Sequence, residues 1–195
     1  MIDSPEKYVA ILLAAGQGTR FGAEKLLHPL ADGVVIAAHA ARHLRQAGLD
    51  VVAVVRPGDM RLRTLLEDEG CVVSVCRDAA LGMGHSLAHG VREAREAAGW
   101  VVALADMPSV SPATILRVVD ALRAGAVIAA PVCRGKRGHP VGFARSCYAA
   151  LAGLTGDSGA RSVLESQRDA VVLLDCDDPG VLYDIDRKAD LTRPL

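Results

Sequence analysis

Residues 9–27 decide how this chain folds, and they read Val9-Ala10-Ile11-Leu12-Leu13-Ala14-Ala15-Gly16-Gln17-Gly18-Thr19-Arg20-Phe21-Gly22-Ala23-Glu24-Lys25-Leu26-Leu27. An uncharged aliphatic run leads into a glycine-rich turn that carries two cations, Arg20 and Lys25. Such a run predicts a buried strand. The small residues after it leave backbone N–H groups accessible, and these can point at phosphate oxygens. The stretch therefore predicts a strand that ends in a basic loop for a polyanion, the alternative being an ordinary connection with solvated charges.

Two well-known phosphate loops do not match this stretch. A P-loop has a second glycine five positions after the first, and Lys-Ser/Thr follows it directly. Five positions after Gly16 this chain has Phe21, and five positions after Gly18 it has Ala23. The dinucleotide-binding loop needs a third glycine where Phe21 stands, and an acid where the second strand instead ends at Arg56. The pattern that remains is Leu-Ala-Ala-Gly-x-Gly-Thr-Arg-x-Gly-x-x-Lys.

Composition indicates the size of the domain and the class of partner. The 195 residues suit a single domain, 1–195, and a hydrophobic fraction of 51% supplies its core. A net charge of -1 gives no general basic field, and an aromatic fraction of 3% leaves few rings on which bases can stack. We therefore expect no nucleic-acid partner, and any anion must be held by local groups.

The N-terminal residues and the cysteines indicate the compartment. Residues 1–7 are polar and acidic without a basic leader, and the first apolar run is too short to cross a bilayer. The five cysteines form an odd set without a Cys-x-x-Cys pair, which predicts neither a disulfide framework nor a zinc cage. We expect a cytoplasmic protein with reduced thiols and no membrane partner.

Short apolar runs alternate with helical patterns along the chain. Gly48 and Gly125 are placed as C-terminal glycines of two helices, and Ser111-Pro112 is typical of a helix start. Near-continuous apolar strands joined by helices predict an α/β fold, a mostly parallel Rossmann-like sheet with helices on both faces, whose ligands bind beyond the carboxyl ends of the strands. The predicted strands are 8–14, 50–56, 71–76, 100–105, 126–131, 139–144 and 170–175, and the predicted helices are 34–47, 59–69, 84–98 and 111–124.

The loops after the third and fourth strands carry candidate ligand groups. Gly82 and Gly84 predict exposed backbone, and Ser86 places a hydroxyl in the first turn of a helix, although an ordinary helix start is the alternative. Asp106 directly follows six apolar residues, where an acid must be paired or must bind a metal. A carboxylate at the end of a strand suits Mg²⁺ held through triphosphate oxygens. We interpret Asp106 as a metal ligand and not as a helix cap, because Ser111 already suits that cap.

Three later segments carry polar groups whose role the residues alone leave open. Asp184 and Asp186 fall on one side of the chain if 182–186 forms a strand, so both face the site or both are solvated. Residues 134–141 have the composition of a basic hairpin, and residues 156–161 that of a glycine-rich turn before a helix.

Between residues 9 and 191 these motifs occur in an order that resembles the MobA-like nucleotidyltransferases. Within that family the chain is most similar to the molybdenum cofactor cytidylyltransferases, with Gly-Met-x-x-Ser-Leu, Gly-His-Pro-Val and Gly-Asp-x-Gly-Ala-Arg blocks. The guanylyl branch of the family typically has Leu-Ala-Gly-Gly where this chain has Leu-Ala-Ala-Gly, so the difference is Ala15. The resemblance implies a single α/β domain of the nucleotide-diphospho-sugar transferase type. It also implies transfer of CMP from CTP to the phosphate of the molybdopterin cofactor, with release of pyrophosphate.

The resemblance also implies roles for individual residues. The family's Asn/Asp-Ile-Asp-Thr-Pro-Glu-Asp-Leu ending matches residues 184–191 and makes Asp186 the second metal acid beside Asp106, although residues 187–189 depart from Thr-Pro-Glu. His139 and Arg161 fall in blocks on the acceptor side. The expected catalytic residues are Arg20, Lys25 and Asp106. The expected nucleotide-binding residues are Leu13, Ala14, Ala15, Gly16, Gly18, Thr19, Arg20, Lys25, Gly82 and Ser86.

The chemistry of this family needs no protein nucleophile, because the acceptor phosphate itself attacks. Catalysis then comes from positioning and from neutralising charge with basic residues and Mg²⁺. The implied partners are CTP, the molybdopterin cofactor and, as recipient, a xanthine dehydrogenase-type apoenzyme or its chaperone. The alternatives are a guanylyltransferase, a transferase for a sugar phosphate or methylerythritol phosphate, a nucleotide lyase or hydrolase, and a non-catalytic nucleotide-binding or cofactor-binding chaperone. Metal-dependent release of pyrophosphate separates the enzyme from the chaperone.

Overall fold

The computed structural model describes residues 7–16, 18, 21–22 and 24–192. Within them, strands and α-helices alternate from residue 8 to residue 128 as the sequence predicts, and three strands then follow one another without an α-helix between them. The strands are β1 (Tyr8–Leu13), β2 (Asp50–Val55), β3 (Val72–Val75), β4 (Gly99–Leu104), β5 (Ile128–Cys133), β6 (Lys136–Arg137), β7 (Val141–Ala144) and β8 (Val171–Asp175). The α-helices are α1 (Ile36–Gln46), α2 (Met60–Asp68), α3 (Met83–Glu93), α4 (Pro112–Arg123), α5 (Tyr148–Ala152) and α6 (Arg161–Ser166). Short 3-10 helices include Lys25–Leu27, Ala79–Leu81, Pro179–Leu182 and Lys188–Thr192.

One sheet joins all the strands, in the order β3-β2-β1-β4-β7-β5-β6, with β8 also paired to β5. The pairs β1–β2, β1–β4, β2–β3 and β5–β8 are parallel, whereas β7 runs antiparallel to both β4 and β5. In β1, Ile11 lies opposite Val52 on one side and Val102 on the other. The sheet is therefore mostly parallel, as predicted, with one antiparallel strand inserted between its two parallel parts.

Side chains alternate across the strands and build a core on each face of the sheet. Ala10 and Leu12 of β1 belong to the core that α1, α2 and α4 cover. Ile11 belongs to the core on the opposite face, which α3, α5 and α6 cover. The prediction of helices on both faces is confirmed.

The predicted ends of several elements are wrong by a few residues. Helix α1 begins at Ile36 and not at residue 34, because residue 35 pairs with Pro29 in an isolated bridge. Helix α3 ends at Glu93 and not at residue 98, since the last residues turn back to β4. Strand β7 begins at Val141 and not at 139, because the N–H of His139 donates to residue 181 and Pro140 has no N–H.

Two further elements differ from their predicted ends or were not predicted. Strand β5 spans Ile128–Cys133, two residues later than predicted, and the short helix α5 was not predicted. The Ser111 hydroxyl caps α4 as expected, accepting from the N–H of Ala113 at 3.2 Å. None of the described helices is both long enough and apolar enough to cross a membrane.

Candidate active site

The carboxyl ends of β1 and β4 lie side by side and bring the glycine-rich loop next to the first acid. Leu13 pairs with Leu104 at the ends of these parallel strands. The N–H of Ala105 then donates to the carbonyl oxygen of Leu13 at 3.1 Å. Asp106 therefore leaves the sheet directly beside the loop, at the edge where parallel α/β sheets bind ligands.

Three carboxylates meet at this edge. Asp106, Asp184 and Asp186 each place one oxygen so that all three oxygens lie within 4.8 Å of one another. The backbone fixes this arrangement, since the N–H of Ile185 donates to the carbonyl oxygen of Asp106 at 2.9 Å. The Ile185 side chain is buried in a small apolar cluster with Phe21. The segment belongs to no strand, so the two downstream acids converge through this anchor and not through strand alternation.

The ammonium group of Lys25 lies between two of these acids. Its Nζ atom is 2.7 Å from Asp106 Oδ2 and 3.2 Å from Asp186 Oδ1. The Lys25 side chain is 9% exposed, compared with 23% for Asp106 and 40% for Asp186. Burial lowers the pKa of Lys25, but hydrogen bonds and charge from Asp106 and then Asp186 outweigh burial and hold that pKa above its ordinary value. Lys25 is therefore a charged counter-ion of the acids, and its predicted contact with a triphosphate stays a prediction.

The donor set of this cluster fits a divalent cation. Carboxylate oxygens are the ligands that Mg²⁺ and Mn²⁺ prefer. Oxygens on opposite sides of an octahedral Mg²⁺ are about 4.2 Å apart, so three oxygens within 4.8 Å need only small movements to share one ion. The Lys25 ammonium also shows that this place stabilises a positive charge. An acidic cluster able to hold a divalent metal is present, with Asp184 as a third acid that the sequence left open.

A cavity of about 360 Å³ opens beside the acids. This cavity is lined by five of the residues predicted to bind nucleotide, namely Leu13, Ala15, Gly16, Gly82 and Ser86. The wall also carries two acids, Asp106 and Asp157, and no lysine or arginine among its described residues. A polyphosphate in this cavity needs positive charge from beyond that wall, which favours a metal at the acids.

A smaller cavity of about 80 Å³ adjoins the first and contains the remaining described part of the loop. Gly18 and Lys25 line it together with Gly16. Ala14 lines neither cavity, because its side chain is buried in the core under α1 and α4 and its N–H donates to the carbonyl oxygen of Val54. The prediction that Ala14 binds nucleotide therefore needs correction. Two other predicted residues, Thr19 and Arg20, lie outside the described residues.

Residues 10–180 match the family model described as the MobA-like NTP transferase domain. The chain belongs to the MobA-like NTP transferase family. The family that the motifs indicated is thereby confirmed.

Relatives of similar length support the assignment to the MobA-like family. Purine catabolism protein PucB of Bacillus subtilis (strain 168) is 35% identical over 91% of both proteins. Nicotine blue oxidoreductase of Paenarthrobacter nicotinovorans is 31% identical over 95% of both proteins. The crystal structure of Rv0371c from Mycobacterium tuberculosis H37Rv has a TM-score of 0.82 and 29% identity, and covers 96% of each chain. A complex of Rv0371c with manganese has a TM-score of 0.77 and 28% identity, over 94% of this chain and 95% of that one.

Two glycines of this MobA-like domain have a packing role that the sequence analysis did not predict. A Cβ atom on Gly82 would lie 2.3 Å from the carbonyl oxygen of Gly156, and one on Gly84 would lie 2.5 Å from that of Thr155. The N–H of Gly84 also donates to Gly156 at 2.8 Å. These glycines make room for the 155–157 loop. The expectation that their backbone is open to a ligand is therefore wrong for the side that faces this loop. Gly82 still lines the large cavity with its other side.

The two residues predicted to bind the acceptor lie in different surroundings. His139 lines a separate cavity of about 10 Å³ together with Leu104 and Pro140. Burial lowers the pKa of His139, against the opposing charge of Asp106, which favours a neutral imidazole. Such a ring can donate a hydrogen bond but does not supply a fixed positive charge. Arg161 is exposed at the first turn of α6. Both acceptor roles stay predictions.

One acid that the sequence analysis did not single out holds the site together. The Asp178 carboxylate accepts from the N–H of Ser111 at 2.9 Å, from Thr114 Oγ1 at 2.7 Å and from the N–H of Gly180 at 3.0 Å. It therefore ties the beginning of α4 to the 3-10 helix that leads to the acid cluster. The sequence signal was Asp-Pro-Gly at 178–180, which is typical of a turn whose acid binds nearby N–H groups.

A second such acid follows the cluster. Asp190 accepts from the N–H groups of Asp186 and Arg187 at 3.0 and 2.7 Å. It aligns with the aspartate of the family's Glu-Asp-Leu ending. The departure from Thr-Pro-Glu at residues 187–189 has therefore not removed the carboxylate that fixes the backbone of Asp186.

Proposed function

We propose that this chain transfers CMP from CTP to the phosphate of the molybdopterin cofactor and releases pyrophosphate. The observation that carries the proposal is the cluster of Asp106, Asp184 and Asp186, whose first member lines a cavity together with Gly16 and Ser86. A volume of about 360 Å³ falls in the range of small-molecule sites. An acidic, cation-binding rim beside such a cavity is what a nucleoside triphosphate with its metal requires.

The reaction needs positioning and charge neutralisation from the chain. An oxygen of the acceptor phosphate attacks the α-phosphorus of CTP, the bond from that phosphorus to the bridging oxygen breaks, and pyrophosphate leaves with the electron pair. Asp106 and Asp186, joined by Asp184, would hold Mg²⁺, which when bound would neutralise charge on the triphosphate and on the leaving pyrophosphate. Lys25 lines the smaller cavity with Gly16, and its ammonium would reach phosphate oxygens once a metal replaces it beside Asp106 and Asp186. Arg20 is assigned to the same task on the family motif.

The choice of CTP rests on Ala15 and Ser86. Both line the large cavity, and Ser86, which is only 4% exposed, would offer its hydroxyl to the edge of a base. The methyl group of Ala15 takes up space that a glycine would leave to a larger purine. A site that pairs with one base leaves polar groups unpaired with another, at about 1–3 kcal/mol for each loss.

The acceptor and the recipient rest on resemblance. The Gly-His-Pro-Val and Gly-Asp-x-Gly-Ala-Arg blocks support the molybdopterin cofactor, with His139 and Arg161 as its proposed contacts. The relative PucB is named for purine catabolism, and xanthine is a purine, which supports a xanthine dehydrogenase-type apoenzyme or its chaperone as recipient. We place the reaction in the cytoplasm, where five unpaired thiols are compatible with reducing conditions.

The decisive experiment supplies the purified chain with Mg²⁺, the molybdopterin cofactor and CTP, GTP, ATP or UTP at equal concentration, and measures pyrophosphate. We expect CTP to react fastest. Preference for GTP would move the chain to the guanylyl branch. Binding of CTP and cofactor without pyrophosphate from any nucleotide would contradict catalysis and favour the chaperone alternative.

Two acidic variants test the metal assignment with a matched control. Asp106→Ala should lower turnover by about 10²–10³-fold, the usual cost of losing one electrostatic stabiliser. Asp177→Ala removes the same charge from an exposed position and should change little. Mn²⁺ binding, followed by electron paramagnetic resonance without nucleotide, should weaken only in Asp106→Ala. Equal Mn²⁺ binding by both variants would refute the metal site even if activity fell.

Ala15→Gly tests the base. The substitution should relax the preference for CTP over GTP by about tenfold, which corresponds to one lost discriminating contact. An unchanged CTP-to-GTP ratio of kcat/KM would show that the Ala15 methyl group does not select the base.

A further inference from the structure

A second polar cavity lies on another side of the beginning of α3. Its volume is about 270 Å³. It is lined by Val75, Cys76, Arg77, Asp78, His85, His89 and Arg92. None of these residues belongs to the candidate active site, whose cavity includes Ser86 and Met83 of the same helix.

Helical spacing separates the two cavities. His85, His89 and Arg92 stand at positions i, i+4 and i+7 of α3, which places them on one face of the helix. Ser86 projects about 100° away from His85 around the helix axis and lines the large cavity of the candidate active site, called the nucleotide cavity below. A ligand in the second cavity would therefore contact α3 without occupying the active site.

The polar groups of this cavity are largely hydrogen-bond donors. His85 Nδ1 accepts from the N–H of Gly156 at 3.2 Å, which leaves the ring proton on Nε2. His89 Nε2 lies 2.7 Å from Ser74 Oγ, a bond that fixes the orientation of the ring. Arg92 uses one N–H for the carbonyl oxygen of Ala152 at 2.7 Å and keeps its remaining donors.

The charge of this cavity is opposite to that of the nucleotide cavity. Two guanidinium groups, Arg77 and Arg92, and two imidazoles surround it, with Asp78 as the single acid of its wall. In contrast, the described wall of the nucleotide cavity has two acids and no lysine or arginine. The net charge of the whole chain is only -1, so this local excess of cationic groups is not the consequence of a generally basic protein.

We propose that the second cavity binds a small oxyanion of the phosphate class, either free phosphate or the phosphate group of a larger metabolite. Guanidinium groups bind tetrahedral oxyanions through paired N–H donors, and two such groups with oriented imidazoles supply more directional contacts than scattered surface charges do. The volume is below the range usual for drug-sized ligands, which favours a small anion. The site is independent of the proposed cytidylyl transfer.

The test titrates the full chain with inorganic phosphate and, separately, with glycerol 2-phosphate, at constant ionic strength set with chloride. Binding is followed by calorimetry and by the carbon-bound ring-proton NMR signals of His85 and His89. We expect saturable one-to-one binding and shifts concentrated at these two histidines. Stronger binding of glycerol 2-phosphate would indicate a phosphate monoester as the natural ligand, and equal or stronger binding of inorganic phosphate would indicate the free ion.

Two arginine variants keep the test specific. Arg77→Ala removes an exposed guanidinium group of the cavity wall and should weaken binding by about tenfold or more, the effect of losing one charge-assisted hydrogen bond. Arg117→Ala removes an exposed guanidinium group from α4, which covers the opposite face of the sheet, and should leave the affinity unchanged. Shifts that do not saturate, or equal affinities in the two variants, would overturn the proposal.

Discussion

Replacing Lys25 with methionine should destabilise the metal-free protein and increase the stabilisation that a divalent cation provides. The Lys25 ammonium is 2.7 Å from Asp106 and 3.2 Å from Asp186, and its side chain is 9% exposed. Methionine retains an apolar side chain of similar length but removes the positive charge. The acids then lose their counter-ion and should bind a metal more tightly.

The magnitude follows from the exposure of each partner. A hydrogen bond to a charged group contributes about 1.5–3 kcal/mol, and the contact with Asp106 is short and mostly buried. The contact with Asp186 is longer and more exposed, so solvent screening reduces its contribution to about 0–1 kcal/mol. Burial of the methionine side chain offsets part of the loss. We expect the free energy of unfolding without metal to fall by about 2–3 kcal/mol.

Urea denaturation with and without Mg²⁺ or Mn²⁺ measures both effects. A ligand that binds only the folded state stabilises it by about 2.7 kcal/mol at a concentration of 100 Kd, so a lower Kd in Lys25→Met enlarges the shift. Lys136→Met, which changes an exposed lysine of β6, is the control and should alter stability by no more than about 0.5 kcal/mol. Equal metal-induced shifts in Lys25→Met and wild type would refute the idea that ammonium and metal share these acids.

Three further predictions concern the packing and titration of the domain. Gly82→Ala should lower the free energy of unfolding by about 2 kcal/mol more than Gly125→Ala does. Both glycines have a positive φ, but only at Gly82 would the added Cβ lie 2.3 Å from a backbone carbonyl oxygen. Urea denaturation of both variants measures this difference. Asp178→Asn should cost about 1–2 kcal/mol in the same assay and weaken Mn²⁺ binding, since its carboxylate stabilises the N-terminus of α4 and positions the metal acids. Burial lowers the pKa values of His43 and His139 below 6.5, so below that pH the unfolded chain binds more protons than the folded chain. The midpoint of urea unfolding should therefore fall as the pH drops from 6.5 toward the lowered pKa values. A midpoint that does not change with pH would contradict this.

Local sequence patterns predicted the parallel half of the fold because its strands are mostly short apolar runs that alternate with helical patterns. The insertion of β7 between β4 and β5 was not predictable in the same way. Its residues Val141–Ala144 have the same apolar composition as a parallel strand, and only the pairing with both neighbours reveals its direction. Strand order depends on which buried surfaces meet, and composition does not encode that.

For the candidate site, the sequence was informative where a residue directly follows a strand. Asp106 follows β4 and lies at the acid cluster, whereas Ala14 was misassigned because the period of two along β1 sends its side chain into the core. The participation of Asp184 was open, since it is far from Asp106 along the chain and their proximity depends on long-range backbone pairing. No spacing rule measures such a distance.

Asp184 and Asp186 are held in place by backbone contacts and glycine packing. The residues that fold this segment are therefore different from the residues that would bind the metal. A Cβ atom on Gly180 would lie 2.2 Å from the carbonyl oxygen of Ser109, and one on Gly138 would lie 2.3 Å from that of Val181. These close approaches fix the segment that reaches the acids, and the N–H of Ile185 completes it. The carboxylates themselves are partly exposed and carry none of this packing. Substitution of Asp184 or Asp186, the more exposed acids, should therefore leave the fold largely intact while it weakens metal binding, whereas substitutions of the supporting glycines should disturb both.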